Sequence, residues 1–311
     1  FHVARRVFIG EAELVRLGVD ENLIAGEFDQ PERKAARDVE HTLRAACSAA
    51  GATGASADAL GTLRIASIER KQTRRNPAAP FTTSTLQQEA SRKLGFSAQR
   101  TMRLAQQLYE GVDIGNGSVG LITYMRTDSL TLAAEAVLEI RSTIEKLYGR
   151  DAVSEEVRIY RTKSKNAQEA HEAIRPTSAS VVPADIERYL DADQFKLYSL
   201  IWKRALACQM AQAVFDTVAV DMLAGPDGPE RHLLRANGST LVKPGYIAVY
   251  QEGLDDSTED DSDHVLPPMK EGDIVTLVAL HPEQHFTQPP PRFTEASLVK
   301  ALEEHGIGRP S

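Results

Sequence analysis

Hydrophobic residues recur with two different periods along the chain, and the change of period divides the chain into parts. Stretches rich in β-branched residues or with partial alternation, the pattern of strands, lie near both ends. They are residues 2–9, 62–70, 216–224, 231–236 and 273–280. From about Ser84 to Met210 helical spacing dominates instead. We therefore predict a multidomain α/β (α+β) fold, with a helical domain, residues 79–217, inserted into a mostly β domain of residues 1–78 plus 218–285.

The central block carries the signals of four helices. Ser84 followed by Gln87 indicates a capping box, and Gly95 ends the first helix. The others are expected at about 98–110, 132–148 and 193–210. Their predicted buried faces are Leu104, Ala105, Leu108 and Tyr109; Val137, Ile140, Ile144 and Leu147; and Tyr198, Ile201, Trp202, Ala205 and Cys208. A further helix at 31–50 is expected to pack on the β domain.

Composition is that of an ordinary globular protein, with 42% hydrophobic and 26% charged residues. No apolar run is long enough to cross a membrane, so no membrane partner is predicted. The two cysteines, Cys47 and Cys208, have no zinc-site or CxxC spacing, which favours a reducing, cytoplasmic setting. Because the chain opens on Phe1 and stops within GIGRPS, we expect it to be an excised fragment.

Charge is distributed unevenly. The net charge of −8 argues against a nucleic-acid partner, but residues 251–264 alone hold seven acids and no Lys or Arg. Residues 69–126 hold nine basic and four acidic residues, a net charge of +5. Phosphate attraction depends on such local clusters, because more distant charges are screened. The acidic run is interpreted as a solvated loop, with a magnesium site as the alternative.

The sequence LITYMRTDSL, residues 121–130, follows a glycine-rich turn. In an extended strand Tyr124, Arg126 and Asp128 would point the same way. About 0.1% of an ordinary tyrosine is ionised at pH 7, and a neighbouring guanidinium favours the phenolate and can clamp a phosphate. Tyr124 and Arg126 are therefore the smallest set of side chains that could attack a phosphodiester: a nucleophile and a cation. With eight tyrosines in the chain, a purely structural tyrosine is the alternative.

Two other clusters carry phosphate-binding residue types. KSKNAQEAHEAIRP, residues 163–176, predicts a basic loop and a short helix with His171 and Arg175 on one face; local pairing of Glu172 with Arg175 is the alternative. In residues 289–311 a helix capped by Thr294 and ended by Gly306 precedes a loop with a phosphate-binding composition. That loop contains Gly308, Arg309 and Ser311. A plain helix and linker is the alternative. No metal site is predicted: HPEQH (281–285) has two histidines four apart, but Pro282 disfavours a continuous helix and the glutamate is misplaced for a zinc protease.

Taken together, these clusters resemble bacterial DNA topoisomerase I, the type IA family. The matching stretches are PFTTSTLQQEASRKLGFSAQRTMRLAQQLYEG (80–111), GLITYMRTDS (120–129), QEAHEAIRP (168–176) and PPPRFTEASLVKALEEHGIGRPS (289–311).

The resemblance implies a reaction and a set of roles. Tyr124 would attack single-stranded DNA and become joined to its 5′ phosphate, and Arg126 would position the scissile phosphate. Asp128 would shape the site. Along the DNA path would lie His171, Arg175, Arg309 and Ser311. The parent enzyme would relax negatively supercoiled duplex DNA in the cytoplasm, at the nucleoid.

The resemblance also implies an architecture. The helical domain would bear the tyrosine in a toroid, the β domain would form its arch, and residues 286–311 would begin a further, truncated DNA-binding domain. The Mg²⁺ ligands of the parent would lie in a Toprim domain preceding Phe1, and no cofactor is expected in this chain. We expect the fragment alone not to relax DNA. A non-catalytic single-stranded DNA-binding or scaffold module is the alternative.

Overall fold

The computed structural model describes residues 5–9, 12–14, 41–46, 61–115, 117–161, 171–224, 232–253, 265–282 and 291–307. The chain divides into two compact units. The first, the β unit, contains residues 1–73, 215–241 and 262–291. The second, the helical unit, contains residues 74–214, 242–261 and 292–311. This is the predicted mixed α/β class, with the helical unit inserted in the sequence of the β unit.

The β unit is built on a six-stranded sheet of order β2-β1-β8-β3-β6-β7. Its strands are β1 (Arg5–Ile9), β2 (Ala12–Leu14), β3 (Gly61–Arg75), β6 (Ala213–Ala224), β7 (His232–Lys243) and β8 (Ile274–Pro282). Strand β8 runs antiparallel to both β1 and β3, and the β1 pairing shifts register between Phe8 and Ile9. Each of the five predicted strand stretches overlaps one of these strands.

One face of the sheet is closed by apolar side chains. Leu63, Ile65, Val220, Met222 and Leu234 are buried together. Helix α1 (residues 41–46) lies within the predicted 31–50 helix and adds Leu43 and Ala46 to the same cluster. Burial alternates from Leu63 to Ala66 in β3, because successive side chains of a strand point to opposite faces.

Six α-helices lie in the described residues of the helical unit. They are α2 (Thr83–Leu94), α3 (Ala98–Glu110), α4 (Ala134–Tyr148), α5 (Pro183–Ile186), α6 (Ala192–Ala207) and α7 (Glu295–Glu304). A two-stranded hairpin of β4 (Val112–Asp113) and β5 (Ser118–Val119) follows α3. The core gathers the inner faces of α2, α3, α4 and α6, including Leu86, Leu108, Ile140, Ile144 and Tyr198.

The start of α2 corrects one prediction. Thr82, and not Ser84, is the N-cap: its side chain accepts from the amide of Thr85, whose hydroxyl accepts from the amide of Thr82. Ser84 lies inside the helix, buried, and donates to Glu303 of α7 at 2.5 Å. The predicted end is confirmed, since Gly95 has φ +67°, a conformation that glycine adopts without a Cβ penalty.

Two predicted core residues lie at the surface. Tyr109 is 41% exposed and Leu147 is 43% exposed. Each lies in the last turn of its helix, α3 or α4, where the helix extends past the partners that cover its earlier turns. The other predicted face residues of α3, α4 and α6 are buried. Thr294 caps α7 as predicted, with Ser297 completing a capping box.

The helical unit also takes in chain that the predicted boundaries left outside it. Helix α7 packs against α2 within this unit. The assignment of residues 286–311 to a further DNA-binding domain stays a prediction. Of the helices in the described part of the chain, none has both the length and the apolar character that crossing a membrane requires.

Candidate active site

Three segments distant in sequence meet around Tyr124. The amide of Ile174 donates to the carbonyl of Phe81 at 2.8 Å, and the amide of Thr177 donates to the carbonyl of Leu121 at 3.0 Å. Isolated bridges pair Phe81 with Ile174 and Ile122 with Pro176. The start of α2, the tyrosine segment and residues 173–177 are therefore joined by backbone hydrogen bonds.

The tyrosine segment is not the predicted strand. Residues 123–130 take part in no strand, and residues 125–126 form a bend. The predicted alternation of side chains nevertheless holds: Met125 and Thr127 are buried, whereas Tyr124 is 39% exposed and Arg126 is exposed. The segment is an extended loop, because the groups that satisfy its backbone come from a helix start and a second loop.

Thr83, in the first turn of α2, fixes the C-terminal side of Tyr124. Its hydroxyl donates to the carbonyl of Met125 at 2.7 Å and accepts from the amide of Thr127 at 2.8 Å. Its own amide donates to the carbonyl of Thr127 at 2.9 Å. Because Thr83 is fully buried, water does not replace these bonds, and the loop is held firmly on the helix.

Thr123 fixes the N-terminal side in the same manner. Its amide donates to the carbonyl of Arg175 at 2.9 Å and its hydroxyl to the carbonyl of Ala173 at 2.7 Å. The amide of Arg175 donates back to the Thr123 hydroxyl at 3.0 Å. Tyr124 therefore stands between two anchored neighbours with its ring directed outward. Thr83 and Thr123 were not among the predicted site residues, because their roles depend on partners about 40 to 50 positions away.

Two rings flank the Tyr124 ring. Tyr109 stands edge-on, with centroids 5.5 Å apart and an interplanar angle of 67°. The His171 ring lies 5.8 Å away at 39°. His171 was predicted for this site, and Tyr109 was not: its helical position suggested the core. The exposed part of the Tyr124 phenol therefore lies beside the His171 imidazole and the Tyr109 phenol.

The predicted helix around His171 and Arg175 is wrong for the described residues. Residues 171–177 form an irregular segment with short bridges, because their backbone bonds go to Phe81, Leu121 and Thr123. Glu172 accepts from Nε of Arg175 at 2.6 Å, which is the local pairing considered as the alternative. Nη1 of Arg175 donates to the carbonyl of Pro176 at 2.9 Å.

The remaining predicted site residues are Asp128, Arg309 and Ser311. Asp128 is part of the tyrosine loop and is partly buried. Arg309 and Ser311, and with them Gly308, lie outside the described residues. The described ranges contain no group of three or more His, Cys, Asp or Glu side chains that could hold a metal ion.

Comparison with known proteins identifies the family. A family model described as DNA topoisomerase matches residues 24–311, nearly the whole chain. The chain belongs to the bacterial type IA DNA topoisomerases. The match includes both anchors of the tyrosine loop and the segment that carries His171.

Individual topoisomerases agree with this assignment. DNA topoisomerase 1 of Xylella fastidiosa (strain 9a5c) is 55% identical over 256 residues, which are 81% of this chain and 31% of the relative. DNA topoisomerase 1 of Rickettsia bellii is 54% identical over 244 residues, 78% of this chain and 30% of the relative. The chain thus spans under a third of these topoisomerases.

A solved topoisomerase has the same fold. Full-length topoisomerase I from Thermotoga maritima matches with a TM-score of 0.73 and 34% sequence identity. The match covers 99% of this chain and 44% of that one. The predicted membership of the type IA family is confirmed.

Proposed function

We propose that this chain is the tyrosine-bearing core of a longer DNA topoisomerase, which cuts and rejoins one DNA strand through Tyr124. The observation that carries the proposal is the anchored, outward-facing phenol: Tyr124 is 39% exposed while both neighbouring residues are tied to buried or backbone partners. A nucleophile needs this combination of access and fixed position.

The proposed step exchanges one phosphodiester for another. The Tyr124 oxygen attacks a phosphate of single-stranded DNA, the bond from phosphorus to the 3′ oxygen breaks, and the tyrosine becomes joined to the 5′ phosphate. The phenol loses its proton and the departing 3′ oxygen gains one, so the step is balanced without an external reagent. Attack by the 3′ hydroxyl on the phosphotyrosine reverses it after strand passage.

The neighbouring residues support the transfer electrostatically. Arg126, exposed two positions after Tyr124, offers a fixed positive charge to the phosphate oxygens. His171 is at ring contact with Tyr124 and would contact the strand or the phosphate. Arg175 uses Nε and Nη1 within its own segment, and its guanidinium would also contact the DNA strand. Asp128 would shape the site, and Arg309 and Ser311 would continue the DNA path.

Magnesium belongs to the parent protein in this proposal. Type IA topoisomerases generally depend on Mg²⁺, which would neutralise phosphate charge and support binding of the cleaved strand. The described residues supply no suitable ligand cluster, so they do not fit the ion and no step proposed here passes through it. Negatively supercoiled duplex DNA would be the parent's substrate, at the bacterial nucleoid. This chain alone is expected not to relax it.

A denaturing-gel assay tests the proposal. End-labelled single-stranded DNA is incubated with the full-length protein that contains this chain, and label attached to denatured protein is counted. We expect an adduct with the native sequence and none with Tyr124→Phe, while strand binding persists. An adduct that survives Tyr124→Phe would place the nucleophile elsewhere. Strand binding without any adduct would favour the non-catalytic DNA-binding module.

A further inference from the structure

The helical unit has a second concave site, built from residues that the proposed cleavage does not use. A cavity of about 710 Å³ lies between the C-terminal ends of α2 and α4, the start of α5, one face of α6 and residues 249–251. Its volume falls within the range of small-molecule sites, about 300–1,000 Å³. We refer to it as the α6 cavity.

The charged groups lining the α6 cavity are lysines. Lys93, Lys196 and Lys203 line it, and its described lining contains neither Asp nor Glu. Lys196, Ser199 and Lys203 are spaced three and four residues apart, so they share one face of α6. Three lysine side chains in the lining of one concavity favour a negatively charged occupant.

Lys93 is the most enclosed of the three. Its ammonium group lies 4.3 Å from the centroid of the Tyr250 ring and donates to the carbonyl of Gln251. Burial lowers the pKa of Lys93. Glu89 lies 4.0 Å from the Lys93 ammonium group and opposes this lowering. Lys196 and Lys203 therefore supply the positive charge that an anion in the cavity would meet beside Lys93.

Ser199 supplies a hydroxyl group that has no hydrogen-bond partner among the described residues. Its hydroxyl oxygen is buried. Ser199 lines the same cavity. A buried hydroxyl without a partner is uncommon and costs stability, and rotation of the Ser199 side chain toward the cavity would let a ligand oxygen or nitrogen satisfy it.

Aromatic side chains supply the apolar part of the wall. Trp202 and Tyr250 are nearly buried and line the cavity together with Tyr148 and Phe195. The indole nitrogen of Trp202 donates to the carbonyl of Ala179 at 2.9 Å, which fixes the ring. Aromatic walls beside cations are the combination that binds nucleobases with their phosphates.

We propose that the α6 cavity binds a nucleotide unit, with the phosphate among Lys93, Lys196 and Lys203 and the base against the aromatic wall. The unit is either a free nucleoside monophosphate or one nucleotide of a DNA strand, since the two share this chemistry. The site is separate from Tyr124 in sequence and in side chains, so it does not depend on the proposed cleavage chemistry.

Trp202 provides the measurement in titrations of the 311-residue chain, where it is the only tryptophan, whereas the covalent adduct is measured on the full-length protein. The fluorescence of Trp202 is titrated with thymidine monophosphate and, separately, with thymidine and with inorganic phosphate, each of which is one half of that ligand. We expect a saturable change with the monophosphate, and at least about tenfold weaker binding of each half-ligand, because each lacks one set of contacts. No saturable change with the monophosphate, or equal binding of inorganic phosphate, would overturn the proposal.

Matched variants assign the response to the cavity. The double variant Lys196→Gln, Lys203→Gln should weaken binding about tenfold, whereas Lys146→Gln, an exposed lysine of α4 outside the lining, should not. Ser199→Ala should weaken binding without lowering resistance to urea, because it removes a hydroxyl that has no partner. Equal affinities in the double variant and in Lys146→Gln would refute the site even if all variants fold.

A short oligothymidylate separates the two sources of the nucleotide. A Trp202 response to the oligonucleotide that the double variant loses would identify a DNA strand as the occupant. A response to the monophosphate alone would identify a free nucleotide. Tyr124→Phe should leave every Trp202 titration unchanged while it abolishes the covalent adduct, so failure of one proposal is distinguishable from failure of the other.

Discussion

The ring of Tyr109 stands edge-on to the ring of Tyr124, with 5.5 Å between centroids and 67° between planes. Tyr109 lies in the last turn of α3, and Tyr124 lies in the anchored loop that follows the β4–β5 hairpin. An edge-to-face pair of this kind contributes about 0.5–1.5 kcal/mol beyond area burial. The contact restricts the positions that the phenol of Tyr124 can take.

We therefore expect Tyr109→Ala to slow formation of the covalent adduct by about 2- to 12-fold, the equivalent of losing that contact in the reactive position. Tyr109→Phe keeps the ring and should react at nearly the native rate. Single-turnover cleavage of labelled DNA gives both rates. Equal loss in the two variants would show that the hydroxyl of Tyr109, and not its ring, is what matters.

The hydrogen bonds of Thr83 to the tyrosine loop can be tested by substitution. Thr83→Val keeps the shape but removes a hydroxyl that bonds to Met125 and Thr127. It leaves buried backbone groups without partners, so the free energy of unfolding should fall by about 2 kcal/mol, measured in urea. Adduct formation should fall as well, because the loop loses its attachment to α2.

Thr101→Val is the matched control for Thr83. Thr101 is equally buried, but its hydroxyl bonds only to the carbonyl of Ser97 in its own helix, at 2.9 Å. It should cost less stability and leave adduct formation unchanged. A loss of adduct with Thr101→Val would mean that general destabilisation explains the Thr83 result.

Arg126 should contribute one phosphate contact. For single-stranded DNA the logarithm of affinity falls with the logarithm of salt by about 0.7 per contact. Arg126→Gln should reduce that slope by about 0.7, whereas Arg150→Gln, an exposed arginine just after α4, should leave it unchanged. Titrations of the full-length protein at several salt concentrations give the slopes, and an unchanged slope in Arg126→Gln would remove Arg126 from the phosphate path.

The β unit should show a pH-dependent stability from one ion pair. Arg235 donates to both carboxylate oxygens of Asp221, at 2.6 and 2.8 Å. These bonds lower the pKa of Asp221. A carboxyl with a lowered folded-state pKa contributes stability above its unfolded pKa, about 3.9, and loses it as the pH falls through the folded value.

The native protein and Asp221→Asn should therefore differ in urea resistance near neutral pH and converge in acid. Unfolding curves between about pH 7 and about pH 3 measure this difference. Arg235→Gln should remove the same pH dependence, since it removes the partner. A gap between native protein and Asp221→Asn that persists at the acidic end would contradict the assignment.

The sequence predicted well where structure depends on neighbours along the chain. Helix α3 runs from Ala98 to Glu110, close to the predicted range, because Ser97, the apolar spacing and Gly111 act within a few residues of each other. The strand stretches followed from β-branched composition. The family also followed from linear sequence, since its matching stretches are continuous.

The predictions that failed depend on distant partners. Residues 123–130 have the alternation of a strand, and the segment around His171 and Arg175 was predicted to be helical. Each is a loop because its backbone partners come from distant segments, the start of α2 among them. Nothing local distinguishes Tyr109 from a core residue, because only the end of α3 beside Tyr124 exposes it. The lysines of the α6 cavity likewise come from separate segments.

By itself the sequence determined the helices, the strands, the family and the identity of Tyr124 as the candidate nucleophile, because these depend on short-range propensity and on continuous motifs. The tertiary structure decided how Tyr124 is presented. Thr83 and Thr123 hold the loop through hydrogen bonds to residues far along the chain, and Tyr109 and His171 close around the ring. Such contacts arise only when packing brings the segments together, so no local pattern encodes them.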